Sequence, residues 1–317
     1  MKGKVSIIGG SGFIGENLYK ALQSDFEVNN IDKNNASAFS TTIADVRNFD
    51  ELQTAVENPD WIVLLAAEHK DNVLPTSLYY DVNVKGTENV LKVMRAKNIR
   101  KIVFTSTVAV YGLNKTNPDE NFPTDPFNDY GKSKLQAEEL LRAWYHEAPE
   151  ERTLMIVRPT VIFGPKNKGN VYNLLQQILS GKFLMIGNGQ NKKSMAYVGN
   201  LVSFVQFSLN EMKNPGYQLF NYADKPDLTT NQLVKIITES SGQQVSQIRI
   251  PYFVGYLAGL TFDVLSKITG KEMTISSIRI KKFCATTQFS NDRIQKLAFK
   301  APFTLEDGLN LTIKSLL

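Results

Sequence analysis

The chain has 317 residues, 42% of them hydrophobic, which is enough for one large and one smaller domain with a full core. A formal net charge of +5, from 36 basic and 31 acidic residues without long runs of one sign, makes nucleic acid a poor partner. One cysteine and two histidines leave no intrachain disulfide and too few ligands for a histidine-built site, so we predict no metal. The N-terminal pattern is not that of a signal peptide, and no run of about 18 apolar residues occurs, so we expect a cytoplasmic protein.

Short apolar runs alternate with helical patterns along the first half of the chain. The strand-like runs are KVSII, EVNNID, WIVLLAA, KIVFTST and TLMIVRP, and patterns such as TENVLKVMRAK and SKLQAEELLRAWYHE separate them. Strands joined in this way form parallel sheets that are covered by helices on both faces. The order therefore predicts a Rossmann-type, doubly wound parallel sheet over residues 1–164.

The second half of the chain is less regular. After Gly164-Pro165 the pattern changes to helices and short strands, with turn signals such as Gly187-Asn188-Gly189. We predict a smaller α/β substrate-binding region over residues 165–317, from which some segments return to the first domain.

The stretch GGSGFIG at 9–15 follows the first predicted strand and opens the first helix. Gly9, Gly12 and Gly15 have the spacing of a dinucleotide-binding turn, in which glycines allow a tight turn and close approach to a pyrophosphate. The next strand ends in Asp32, a carboxylate placed to accept hydrogen bonds from an adenosine ribose and to repel a 2′-phosphate. These features predict NAD as the cofactor, although Lys33 adds an opposing charge.

Hydroxyl groups and a Tyr-Lys pair follow later in the same half. Thr105, Ser106 and Thr107 end a predicted strand, and Tyr130 and Lys134 stand four residues apart on a predicted helix. The phenol of a tyrosine has an ordinary pKa of about 10, so it needs a nearby positive charge to act as a base at neutral pH. Lys134 has the spacing to provide part of that charge.

These motifs, in this order, resemble the extended short-chain dehydrogenase/reductases, in particular the sugar-nucleotide epimerases and dehydratases. The stretches that carry the resemblance are GGSGFIG, Asp32, Asp45-Val46, LAA at 65–67, NVKGT, TSTVAVYG, YGKSK, RPTVIFGP and SNDRIQKLAF with LEDGL. The resemblance implies that Tyr130 is the catalytic base, that Lys134 orients the ribose and lowers the tyrosine pKa, and that Thr107 binds the reacting hydroxyl. It also implies a homodimer formed through two helices of the α/β domain.

The resemblance extends the set of cofactor residues. Asp45 and Val46 are placed to meet the adenine, and Leu65, Ala66 and Ala67 let a cofactor lie close to the strand end. The predicted cofactor-binding residues are Gly9, Gly12, Phe13, Ile14, Gly15, Asp32, Asp45, Val46, Leu65, Ala66, Ala67, Thr105, Tyr130, Lys134 and Pro159.

Two departures from the family pattern narrow the reaction and the substrate. Val108 and Ala109 occupy the positions where sugar dehydratases carry an Asp-Glu pair, which disfavours loss of water and leaves a 4-epimerase. Lys193 replaces an arginine at the expected diphosphate contact, and only arginine offers a planar fork to a diphosphate. Recognition of an ordinary uridine-diphosphate sugar is therefore in question.

With these departures, the sequence resembles a bacterial subgroup of epimerases that act on N-acetylglucosamine linked to undecaprenyl diphosphate in O-antigen assembly. AAEHKDNVLPTSLYYDVNV, VAVYGLNKTNPDEN, KSMAYVGN and KKFCATTQF carry this similarity. It implies a sugar-diphosphate substrate bound by Glu68, Thr107, Tyr130, Thr160, Asn170, Lys193 and Lys281. A soluble uridine-diphosphate-sugar 4-epimerase, a sterol-type dehydrogenase and a cofactor-sensing protein without catalysis stay open as alternatives.

The stretch 251–271 begins with a dozen almost wholly apolar and aromatic residues, and cations follow it up to Lys282. Two interpretations stay open at this point. It forms either an ordinary buried helix or a peripheral contact with the inner face of the cytoplasmic membrane through residues 251–282.

Overall fold

The structure is a computed structural model that describes residues 3–36, 38–70, 73–244, 246, 248–269 and 276–317. The contacts divide the chain into two compact units. The first consists of Met1–Thr160, Val198–Ala223 and Phe289–Pro302, and the second of Val161–Tyr197, Asp224–Gln288 and Phe303–Leu317. Each unit is described by itself below.

The strands and helices alternate in the first half of the chain. The strands are β1 (Lys4–Ile8), β2 (Glu27–Asp32), β3 (Thr42–Ile43), β4 (Trp61–Leu64), β5 (Lys101–Thr105), β6 (Thr153–Pro159), β7 (Val161–Phe163), β8 (Met185–Ile186), β9 (Lys192–Tyr197), β10 (Gly216–Tyr222), β11 (Asp224–Thr229) and β12 (Arg249–Ile250). The helices are α1 (Phe13–Leu22), α2 (Phe49–Ala55), α3 (Ser77–Tyr80), α4 (Gly86–Ala96), α5 (Asp129–His146), α6 (Asn170–Leu179), α7 (Val198–Glu211), α8 (Thr230–Ser241), α9 (Tyr252–Thr269), α10 (Ser277–Cys284), α11 (Asp292–Gln295) and α12 (Leu305–Lys314). A π-helical turn (Asp81–Lys85) precedes α4, and a 3₁₀ turn (Val108–Tyr111) follows β5.

The first unit is built on a seven-stranded sheet with the strand order β10-β6-β5-β4-β1-β2-β3. All of its strand pairs are parallel. The order reverses direction between β1 and β4, which is the point where open α/β sheets bind ligands at the carboxyl ends of their strands. The Rossmann-type fold predicted from the sequence is confirmed.

Helices α4 and α5 cover part of this sheet because their apolar residues recur at helical spacing. Leu91 and Met94 of α4 and Leu141 and Trp144 of α5 pack in one buried cluster with apolar residues of β4, β5 and β6. Helix α1 packs against α7, where the Gln206 side chain donates a hydrogen bond to the Ala21 carbonyl at 3.1 Å. This burial fixes the sheet whose carboxyl edge carries the predicted cofactor residues.

The second unit contains a three-stranded sheet of order β11-β9-β7 and a pair of strands, β12 and β8. Helices α8 and α12 pack together, and α10 packs against α9. Thr229 and Thr304 cap α8 and α12 with capping boxes, which fix where these helices begin. Within the described part of the chain, no helix has the length and apolar character needed to cross a bilayer.

Candidate functional site: the carboxyl edge of the sheet

The turn between β1 and α1 contains three glycines, of which Gly9 and Gly15 are required by close neighbours. Gly9 has a φ of +91°, and a Cβ atom there would lie 2.3 Å from the Ala66 backbone nitrogen. At Gly15 a Cβ atom would lie 2.4 Å from the Cα of Gly10, so only glycine lets the helix pack on the turn. At Gly12 the nearest atom would be the Gly9 carbonyl oxygen at 3.5 Å, which leaves open space at the start of the helix.

The open space lies at a helix terminus suited to an anion. Helix α1 begins after Gly12 without a side-chain cap, so the amides of Phe13 and Ile14 lie in its first turn. Amides in that position, with the positive end of the helix dipole, bind phosphate groups. The turn therefore fits the pyrophosphate of a dinucleotide.

Asp32 lies at the end of β2 beside the glycine turn. Its carboxylate accepts hydrogen bonds from the backbone amides of Ser11 at 3.1 Å and Asn34 at 2.9 Å. Asn30, a residue that the sequence prediction missed, donates hydrogen bonds to Ser11 Oγ and Thr41 Oγ1. These bonds hold the Asp32 carboxylate at the carboxyl edge of the sheet, where an adenosine ribose would lie in a fold of this type.

The predicted adenine contacts have partners of their own in the protein. Arg47 donates hydrogen bonds to the Asp45 carboxylate from its backbone amide, its Nε and its Nη2, and these bonds lower the pKa of that group. Val46 is buried against Gly86, and its carbonyl accepts a hydrogen bond from Asn89 Nδ2 at 3.0 Å. Asp45 is therefore partly buried and bound to Arg47, while the peptide of Val46 is held by Asn89.

The end of β4 lies beside Gly9. The backbone amides of Leu65 and Ala66 both donate to the Ile8 carbonyl, at 2.8 and 2.9 Å. These bonds hold the end of β4 against β1, so the backbone of Ala66 lies directly beside Gly9. That this strand end lets a cofactor lie close stays a prediction.

Thr107 and Tyr130 meet next to the end of β5. Thr107 caps the 3₁₀ turn, with its Oγ1 accepting a hydrogen bond from the Ala109 amide at 3.1 Å. Asn128 caps α5 by accepting from the Gly131 amide at 2.9 Å, which begins the helix one turn before Lys134. Tyr130 shares a side-chain hydrogen bond with Thr107. Lys134, one turn further along α5, is buried, and its Nζ lies 4.0 Å from the centre of the Phe104 ring of β5.

Burial shifts the pKa values of Tyr130 and Lys134 in the directions that favour their neutral forms. Burial raises the pKa of Tyr130 to about 12, although a hydrogen bond with Thr107 opposes the rise. Burial lowers the pKa of Lys134 to about 7, and the charge of Glu138 opposes that fall. The lowering of the tyrosine pKa expected from Lys134 is therefore not found in the protein alone, because removal from water outweighs the hydrogen bond with Thr107.

Sequence reasoning missed a buried polar network next to this pair. Glu138, one turn after Lys134, accepts hydrogen bonds from Ser106 Oγ at 2.5 Å and from Arg158 Nε at 2.8 Å. Arg158 also donates to the Tyr111 hydroxyl, which donates to Asn221 Oδ1. Burial opposes the charge of Arg158, but its hydrogen bonds with Glu138 prevail and raise its pKa. The network ties α5 to the ends of β5 and β6.

A second missed residue is Asn83, which lies in the π-helical turn. Its side chain accepts from the Glu68 amide at 2.9 Å and donates to the Glu68 carbonyl and to Ser133 Oγ. Ser133 in turn donates to the Tyr130 carbonyl at 2.9 Å. Asn83 thus joins the loop after β4 to the first turn of α5, and its place in the motif NVKGT was the signal that could have found it.

The predicted substrate residues lie in both units. In the first, Glu68 follows β4, and Thr160 follows Pro159 at the end of β6, where its hydroxyl donates to the Tyr222 carbonyl. In the second, Asn170 is exposed as the first residue of α6, and Lys281 is exposed on α10.

Lys193 in the second unit has a different environment from the one predicted. Its Nζ donates to the backbone carbonyls of Lys282 at 2.9 Å and Ala285 at 2.5 Å, so it binds the end of α10. Burial lowers the pKa of Lys193 to about 8. The structure thus brings Lys193 to the helix that carries Lys281, with its ammonium group bound by protein atoms.

The comparisons with known proteins agree with this geometry. The model of the NAD dependent epimerase/dehydratase family matches residues 5–223. The N-acetyl-alpha-D-glucosaminyl-diphospho-ditrans,octacis-undecaprenol 4-epimerase of Escherichia coli O157:H7 is 54% identical over 316 residues, which are 99% of this chain and 95% of that protein. The UDP-glucose 4-epimerase of Vibrio cholerae is 27% identical over 340 residues, with 100% of this chain and 96% of that protein covered.

Solved structures share the fold. The crystal structure of UDP-glucose 4-epimerase from Thermus thermophilus, in complex with NAD, matches with a TM-score of 0.75 at 19% identity and 98% coverage of each chain. The family match, the near full-length relative and a glycine turn shaped for a dinucleotide lead to one conclusion. The chain belongs to the NAD dependent epimerase/dehydratase family, with NAD as its cofactor.

Proposed function

We propose that the protein is a sugar 4-epimerase that interconverts N-acetylglucosamine and N-acetylgalactosamine on undecaprenyl diphosphate, in the assembly of O-antigen or a related surface polysaccharide. The observation that carries this proposal is the 54% identity, over nearly the whole chain, to a relative named for that activity. The acid/base residues at the carboxyl edge of the sheet are those that such a reaction needs.

The proposed reaction passes through a 4-keto sugar. When bound, NAD supplies a hydride acceptor that can return the hydride to the opposite face of the sugar. Tyr130 removes the proton of the sugar 4-hydroxyl at its phenolic oxygen and gives it back in the second half of the reaction. Thr107 shares a hydrogen bond with Tyr130 and holds the hydroxyl, and Lys134 stabilises the phenolate.

The pKa values explain why this pair needs the bound substrate and cofactor. In the protein alone the proton stays on Tyr130, since burial raises its pKa to about 12. A positive charge brought into the same buried site favours the phenolate strongly, because charges interact more strongly away from water. Tyr130 would therefore act as a base only with the positively charged nicotinamide in place.

The residues around Thr107 favour epimerisation over loss of water. Val108 and Ala109 begin the 3₁₀ turn and offer no acid to protonate a departing hydroxyl. We propose that Glu68, Thr107, Tyr130 and Thr160 contact the sugar, and that Asn170, Lys193 and Lys281 contact the diphosphate. The exposed side chain of Lys281 suits that role better than Lys193, whose Nζ binds two carbonyl oxygens.

The same proposal includes two features of assembly and location. We propose a homodimer formed through two helices of the first unit, which the family resemblance implies. We also propose that the protein works in the cytoplasm at the inner face of the cytoplasmic membrane, because an undecaprenyl chain keeps its substrate in the bilayer.

The test supplies purified protein and NAD with undecaprenyl-diphosphate-linked N-acetylglucosamine in one reaction and UDP-N-acetylglucosamine in another. The two epimers are then separated and quantified. We expect conversion of the lipid-linked sugar only. Conversion of the UDP-linked sugar alone would favour the soluble epimerase, and net formation of NADH with a sterol substrate would favour the dehydrogenase.

A further inference from the structure

Helix α9 turns an apolar face away from its unit. Phe253, Leu257, Val264 and Ile268 follow one another at spacings of four and seven residues, which place them on one side of the helix. Their exposed fractions are 64%, 58%, 57% and 75%. Val254, Leu260 and Leu265 flank them and are also exposed. Among the described side chains of α9, this outward face carries no charge.

The opposite face fixes the orientation of the helix. A Cβ atom at Gly259 would lie 2.7 Å from the Ser277 amide nitrogen, so glycine lets α10 lie directly against α9. Asp263 accepts a hydrogen bond from Ser277 Oγ at 2.6 Å. At Gly255, a Cβ atom would lie 2.8 Å from the side chain of Ile186. If α9 rotated to bury its apolar face, these contacts would break. The contacts therefore keep the apolar face of α9 exposed. The interpretation of α9 as an ordinary buried helix is wrong.

Basic residues are frequent in the part of the sequence that contains this face and α10. Residues 248–284 contain six basic and two acidic residues, a net charge of +4. Lys281 and Lys282 are exposed on α10, and Ile278 is exposed one turn before Lys282. The acid Asp263 faces α10 and binds Ser277. Apolar side chains with cations beside them complement a surface of anionic lipid headgroups above acyl chains.

We propose that the outward face of α9, with the cations of α10, binds the surface of an anionic lipid bilayer, with α9 lying in the plane of the membrane. The inference deepens the proposed function, since that function needs a bilayer-held substrate, but the exposed face and its charge do not depend on the reaction. Phe253 and the aliphatic residues enter the upper acyl region, where their apolar surface leaves water. Lys282 lies at the level of the headgroups.

A second copy of the chain fits this face less well than lipid. A two-fold contact would place the same patch of each copy against its own symmetry mate. The cations beside the face would then meet cations of the partner, which opposes association. The positive charge favours an anionic bilayer as the occupant.

The test is flotation of the purified protein with vesicles that contain no sugar lipid. One set contains phosphatidylethanolamine with phosphatidylglycerol, and the other contains phosphatidylcholine alone. We expect binding to the anionic vesicles. The fourfold variant F253Q/L257Q/V264Q/I268Q should bind them at least about a hundredfold more weakly, because it loses four apolar side chains that would enter the bilayer. K282Q should weaken binding about fivefold.

Leu311→Gln is the matched control, since Leu311 is an exposed leucine on α12 in the same unit. We expect it to bind vesicles as the wild type does. The proposal is overturned if the wild-type protein stays unbound, if the fourfold variant still binds, or if that variant only converts a dimer into a monomer. The last result would assign the face to a second copy.

A second measurement separates this proposal from the proposed function. With a water-soluble substrate whose prenyl chain is shortened, the fourfold variant should epimerise at the wild-type rate, which also shows that it is folded. With the substrate embedded in vesicles, its rate should fall. Vesicle binding without any epimerisation would contradict the proposed reaction and leave the lipid face supported, whereas epimerisation without vesicle binding would do the reverse.

Discussion

Helix α5 and helix α9 depart from ordinary burial in opposite directions. In α5, Lys134 and Glu138 are buried, and Arg158 of β6 is buried beside them. In α9, large apolar side chains such as Phe253 and Ile268 are exposed instead. A buried charge is tolerated when it is paired and hydrogen-bonded, and an exposed apolar face is tolerated when something other than water covers it. The comparison supports the two proposals made above, that α5 serves the cofactor and the sugar and that α9 meets lipid.

Removing the phenolic oxygen of Tyr130 should have the largest effect. We expect Tyr130→Phe to lower kcat by about a thousandfold or more, since a positioned general base contributes roughly a hundredfold to ten-thousandfold. NAD binding, followed by equilibrium dialysis, should persist. Tyr80→Phe is the control, because it removes only a peripheral hydrogen bond to Asp129. Full activity of Tyr130→Phe would rule out its role as the base.

Breaking the buried ion pair between Arg158 and Glu138 should lower the free energy of unfolding more than breaking an exposed ion pair. We expect Arg158→Met to lower the free energy of unfolding by about 3–5 kcal/mol, because it leaves the Glu138 carboxylate buried with fewer partners. Arg95→Met, which removes an exposed ion pair with Glu147, should cost about 1 kcal/mol or less. Urea unfolding measures both. Equal losses would show that burial adds nothing to the importance of the pair.

Replacing Lys134 should change how stability depends on pH. Burial lowers its pKa from 10.5 in the unfolded chain to about 7, so the unfolded state binds more protons between these pH values. The wild-type free energy of unfolding should therefore rise with pH from 7 to 10. Lys134→Met should remove that rise and stabilise the protein most at pH 7 and below, while abolishing turnover.

Lys132→Met provides the control for this pH dependence, because Lys132 is exposed on the same helix. Its unfolding curves should follow the wild type at every pH. A Lys134→Met variant that kept the wild-type slope would show that Lys134 is charged and well solvated in the folded protein.

The smallest effect is expected on α9. Leu257→Ala should change the free energy of unfolding by about 0.5 kcal/mol or less, since its side chain already faces away from the protein. Leu141→Ala on α5 should cost about 2–5 kcal/mol, because that leucine is fully buried. A large loss at Leu257 in vesicle-free solution would mean that protein atoms cover the face.

Much of the first unit could be read from local pattern. Alternating strand and helix signals predicted the sheet, GGSGFIG predicted the turn that binds a dinucleotide, and the spacing of Tyr130 and Lys134 predicted one helical face. These features depend on neighbours in the sequence. The network of Ser106, Glu138 and Arg158 could not be predicted in this way, because its members come from separate strands and a helix that meet only in the folded sheet.

The sequence by itself determined the family and the cofactor and predicted a set of acid/base residues, because backbone geometry and helix spacing are local properties. The tertiary structure decided three further points. It bound Lys193 to the carbonyls at the end of α10, it raised the pKa of Tyr130 through burial, and it turned the apolar side of α9 outward. Composition reveals that residues 251–262 are almost wholly apolar, but only the packing of Gly259 and Asp263 against α10 decides which face of the helix is left exposed.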